Sequence, residues 1–79
     1  MRLNDLPLNQ SAAISGINWA VLDNATAARL RAFGFDTGAN IKALHYGGGT
    51  AHDPIAFRIG RMTIAIRRAL AAAILVETL

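Results

Sequence analysis

Cysteine is absent from this chain of 79 residues. That excludes disulfides and thiolate metal sites. Aromatic residues make up only 6% and charged residues 16%, against a hydrophobic fraction of 53%. So apolar a composition excludes a disordered tail and calls for a packed core. A domain of this size buries only roughly two-thirds of its unfolded surface, so that core must be efficient. No apolar run approaches the roughly 20 residues of a membrane helix; the longest is residues 69–76. The start of the chain has one basic residue and no apolar stretch behind it, so no signal peptide is expected and a cytoplasmic location is. Eight basic and five acidic side chains give a net charge of +3, an excess small enough for a solvated basic face.

The strongest pattern present is the run Asp53-Pro54-Ile55-Ala56-Phe57-Arg58-Ile59-Gly60-Arg61-Met62-Thr63-Ile64-Ala65-Ile66-Arg67. It alternates on both sides of Gly60-Arg61, and glycine in first place suits a type II′ hairpin turn. The turn sets Ile59 opposite Met62, Phe57 opposite Ile64 and Ile55 opposite Ile66. With side chains alternating at period two, all six then share one face. Ala56, Arg58, Thr63, Ala65 and Arg67 take the other face, expected to meet water.

The rest of the chain supplies further elements. Leu3-Asn4-Asp5-Leu6-Pro7 reads as an apolar anchor and a turn, since Pro7 ends any helix. Residues 11–17 form a weak strand with Ile14 as its core residue, and Trp19 is assigned to the core. Asp23 or Asn24 can cap a helix over residues 25–33, which Gly34 stops, with Thr26, Leu30 and Phe33 on one face. Residues 39–46 alternate as a strand, with Ile41, Ala43 and His45 on one side and Lys42, Leu44 and Tyr46 on the other. Gly47-Gly48-Gly49-Thr50-Ala51-His52 reads as a flexible loop, because a phosphate-binding loop would carry Gly-Lys-Ser/Thr and lead into a helix. One helical turn is expected over residues 67–72 and a last strand over residues 74–77. The sum is a mainly β fold. It is a small five-stranded SH3-like barrel, one domain over residues 1–79, with one short inserted helix and a helical turn before the last strand.

These residues resemble the FeoA family, small cytoplasmic accessory proteins of bacterial ferrous iron transport. The resemblance is carried by Leu3-x-x-Leu6, Arg29-Leu30-x-x-Phe33-Gly34-Phe35-x-x-Gly38, Asp53-Pro54-Ile55, Ile66-Arg67 and Ala71-x-x-Ile74-x-Val76. Two positions depart from the family pattern: His52 stands where a glycine is usual, and Leu70 where a glutamate is. The same barrel occurs as a terminal domain of iron-responsive repressors. The resemblance implies a regulatory binding module, without a cofactor, that docks on the membrane ferrous iron transporter and its cytoplasmic GTP-binding domain. Self-association is left open.

No nucleophile and base stand at a catalytic spacing, so an enzyme is not expected. His45, His52 and Asp53 are a weak candidate for iron, imidazole and carboxylate being suitable ligands. The basic set Arg58, Arg61, Arg67 and Arg68 is the one feature favouring nucleic acid. Small barrels that bind single strands stack bases on exposed aromatics, and the hairpin's outer face has none. The docking surface is therefore placed on the helix and the turn after it, where Leu30 with Phe35 forms an apolar patch beside Phe33, rimmed by Arg29 and Arg31; the alternative is that Leu30 and Phe33 staple the helix to the core.

Overall fold

The computed structural model describes residues 1–47 and 52–79. Five antiparallel strands form one sheet: β1 (Ser11–Ile17), β2 (Asn40–Tyr46), β3 (Ile55–Ile59), β4 (Met62–Ile66) and β5 (Ile74–Thr78), in the order β4-β3-β2-β1-β5. Helix α1 (Asn24–Ala32) follows β1, and the one-turn α2 (Arg68–Ala71) precedes β5. Short 3-10 turns occupy Leu3–Asp5 and Trp19–Val21. The topology is SH3-like, but among the described residues β4 and β5 do not pair, so the sheet keeps two edges.

The hairpin has the expected register, with Ile59 opposite Met62, Phe57 opposite Ile64 and Ile55 opposite Ile66. Gly60 takes φ +57 at the first turn position, which a side chain there would resist. The two faces are less cleanly divided than alternation predicts. Ile66 is buried, Ile64 half-buried and Met62 exposed, while Ile59 across from Met62 is buried, because β4 is the edge strand of the sheet. Ala56, expected in water, is buried. Arg67 leaves the strand altogether and is the N-cap residue of α2.

Leu3, Ile14, Ile41, Phe57, Ile74 and Val76 meet in a single core. Trp19 is half-buried at its rim rather than inside it, with the Arg31 guanidinium 4.2 Å from the ring centroid. That stack is a cation–π contact, and it fixes Arg31 against the barrel.

In β2 the predicted alternation fails after Ala43. A bulge at Leu44 shifts the pairing, so that Ala43 faces Phe57, His45 faces Ala56 and Tyr46 faces Ile55. One extra residue exchanges the two faces. Tyr46 now packs against the core, and His45 is turned out into solvent.

Candidate docking groove

Helix α1 is fixed at both ends by contiguous residues. The Asp23 carboxylate accepts the Thr26 N–H at 2.7 Å, capping the first turn. This bond, with a further one to the Thr26 side chain, holds the Asp23 carboxyl below its ordinary value. At the other end Gly34, at φ +90, lets Gly34 N–H reach Arg31 C=O and Phe35 N–H reach Leu30 C=O, both at 3.0 Å. That bond pair is the Schellman stop, and it brings Phe35 back over Leu30.

The stop corrects the expected docking patch. Leu30 and Phe35 are 3% and 1% exposed, so neither offers an apolar surface to a partner. They fasten the helix to the core. Phe33 remains half-buried, and Arg29 and Arg31 are exposed. Arg29 and Arg31 do not rim one patch either, because Arg31 is stacked on Trp19.

A groove does exist on the same helix, displaced towards β4. It has a volume of about 380 Å³ and is lined by Thr26, Arg29 and Leu30 of α1, its C-cap Phe33, residues 64–67, and Leu70 of α2. Thr26, Leu30 and Phe33, the helix face read from spacing, all line it. Arg67, Ile64 and Leu70 belong to the site but have no signal in the sequence that ties them to α1. They lie more than thirty residues further along the chain, and only the fold brings them near. Leu70, one of the two departures from the family pattern, adds to the apolar lining.

The free edge of β4 forms one wall. In a two-residue hairpin the residues flanking the turn exchange backbone hydrogen bonds, and bonding alternates from there. Met62, Ile64 and Ile66 are therefore bonded to β3, while Thr63 and Ala65 aim their N–H and C=O away from the sheet. Ile64 from the inner face and Ala65 from the outer face both line the groove, so it follows the strand's edge.

The candidate iron ligands are not brought together. His45 projects from β2 beyond the bulge, and His52 lies against the Tyr46 ring, centroids 4.2 Å apart. The Asp53 carboxylate accepts the backbone N–H of Arg68 at 3.0 Å. Asp53 thus serves the first turn of α2. Among the described residues no three His, Asp or Glu side chains cluster to hold a metal. Residues 48–51 of the glycine loop lie outside the described residues. The basic set is also divided: Arg58, Arg61 and Arg67 are exposed, whereas the Arg68 guanidinium donates to Asn4 C=O at 3.2 Å.

No curated protein matches this chain. Among solved structures it is similar to the FeoA protein of Chlorobium tepidum, at 28% identity and a TM-score of 0.85, covering 100% of this chain and 70% of that one. It is also similar to the FeoA of Stenotrophomonas maltophilia complexed with zinc, at 28% identity and a TM-score of 0.82, covering 98% of this chain and 89% of that one. That protein is described as a prokaryotic SH3 domain protein and put forward as a bacterial ferrous iron transport activating factor. The IdeR protein of T. acidophilum shares the fold at 23% identity and a TM-score of 0.78, with 99% of this chain matching 33% of that one. The FeoA domain itself matches residues 1–78, and the chain belongs to the FeoA family.

Proposed function

We propose that this chain is a cytoplasmic accessory module of bacterial ferrous iron uptake that docks on the membrane ferrous iron transporter and regulates it. The reading is carried by its membership of the FeoA family over residues 1–78. The S. maltophilia relative, put forward as a transport activating factor, points the same way. No helix among the described residues is long and apolar enough to cross a membrane, which fits a module that acts on a membrane partner from outside the bilayer.

Binding is preferred to catalysis because the acidic side chains with described partners serve the backbone. Asp23 caps α1, Asp53 bonds the first turn of α2, and Asp36 accepts the N–H of Thr37. The docking face is the α1–β4 groove, with Phe33 and Leu70 as its accessible apolar residues and Arg29 at its rim. Arg31 serves as a neighbouring contact through its stack on Trp19.

Pull-down with the cytoplasmic GTP-binding domain of the cognate transporter tests this, beside a salt-titrated oligonucleotide assay. Retention of the transporter domain, lost when Arg29 and Phe33 are replaced by Ala, is expected. Steeply salt-dependent oligonucleotide binding without transporter contact would overturn it, because phosphate binding is dominated by counterion release.

A further inference from the structure

We propose that the groove receives an extended, acidic segment of a partner protein, which adds a strand to the free edge of β4. The inference deepens the docking reading above and rests on it for the identity of the partner. The hairpin register points the backbone N–H and C=O groups of Thr63 and Ala65 outward, one strand repeat apart, and no backbone hydrogen bond outside the strand ladder is described for either. An unpaired edge of this kind is a template for another strand. A strand laid there would send every second side chain into the groove, against Phe33, Ile64 and Leu70. Binding of this mode divides the work: the backbone supplies the hydrogen bonds and the groove chooses the side chains.

The charge of the site selects the occupant. Arg29 and Arg67 line the groove, and no Asp or Glu is among its lining residues. Arg61 stands at the other end of the strand in the hairpin turn, also exposed. A second copy of this chain is disfavoured by the same charges. Antiparallel pairing of two β4 strands centred on Ile64 sets Arg61 against Arg67 at both ends, and like charges directly opposite are repulsive. An incoming strand with carboxylates near its ends and apolar residues between them meets both requirements.

The probe is a short synthetic peptide with glutamate at both ends and valines between them, with a control in which lysine replaces glutamate. Amide exchange is followed residue by residue on the isotope-labelled full chain. The glutamate peptide should slow exchange at Thr63 and Ala65 by about tenfold or more, leaving Ile64, already bonded to β3, unchanged. The lysine peptide should not. Ala65→Pro removes an outward N–H but no bond to β3, and should abolish the effect. Should that variant fail to fold, the double reversal Arg29→Glu with Arg67→Glu decides, because it should exchange the preference from the glutamate to the lysine peptide. Protection confined to α1 or β5, equal protection by both peptides, or none at saturating peptide would overturn the proposal. Transporter domain that binds the Ala65→Pro variant as tightly as the parent would also overturn it while leaving docking intact. Peptide protection without any transporter binding would sustain strand addition and remove the docking partner instead.

Discussion

The two edges of this sheet are finished in opposite ways. On β5 the edge is covered at Leu75 and Val76 by Met1 and Arg2. The Met1 backbone nitrogen donates to Val76 C=O at 2.9 Å, Val76 N–H donates to Met1 C=O at 2.8 Å, and Arg2 bridges to Leu75. On β4 no described segment takes that place, and the edge opens onto a groove with an arginine at each end of the strand. An edge strand invites unwanted pairing, and proteins blunt it either by covering it or by charging it. This molecule does one at each side. Covering closes an edge to everything, whereas flanking charge closes it only to partners of like sign. The difference is what makes β4, and not β5, the candidate for recognition.

The comparison can be broken first with proline. Ala12 lies in β1, paired on both sides, whereas Ala65 has β3 on one side only. Ala12→Pro should cost more than about 3 kcal/mol and leave little folded protein. Ala65→Pro should cost less than about 1 kcal/mol, since its N–H lies on the open side. Comparable losses in chemical denaturation would mean that the β4 edge is not free.

Alanine substitutions along β4 probe how far the core reaches towards the open edge. Ile66→Ala should cost about 3 kcal/mol, a buried side chain leaving a cavity. Ile64→Ala, half-buried, should cost about 1 kcal/mol, and Thr63→Ala should stay within about 0.5 kcal/mol. A flat series would contradict the graded burial.

Uncovering β5 is the converse experiment. A chain beginning at Leu3 loses the bonds between Met1 and Val76 and should be less stable by about 1–2 kcal/mol. It should also associate with itself in sedimentation, as the parent chain should not. Self-association of the parent to the same degree would show that the arginines flanking β4 do not exclude a second copy.

The smallest expected effect is that of acid on α1, the wall of the open side. The Asp23 carboxyl is held below its ordinary value of 3.8 by the Thr26 N–H, so the stabilisation is complete above that value. It is lost as pH falls through the lower, folded-state value. The helical circular dichroism of the parent should therefore decline in that range, and Asp23→Asn, a cap without a titrating proton, should flatten the decline. An identical pH response in both would assign the acid sensitivity elsewhere.

Much of this was legible from contiguous residues. The β3–β4 register follows from period-two alternation around Gly60-Arg61, and α1 lies between the start and stop signals of Asp23 and Gly34. Those features depend on neighbours within a few positions, so local pattern suffices. The family pattern is likewise an ordered series of residues, readable without coordinates.

Tertiary structure alone decided what the side chains meet. The Schellman stop is local, but whether Leu30 and Phe35 face a partner or the core depends on the sheet beneath them, and they are buried. The bulge at Leu44 sends His45 outward and Tyr46 inward through pairing with β3, which no alternation within β2 reveals. Asp53 finds its hydrogen bond at Arg68, fifteen residues away. The groove joins α1 to β4 and α2, and the contrast between a covered β5 and an open β4 depends on where Met1 lies relative to Val76. Periodicity dictates which face of an element is apolar; only the packing of distant segments dictates which of those faces remain uncovered.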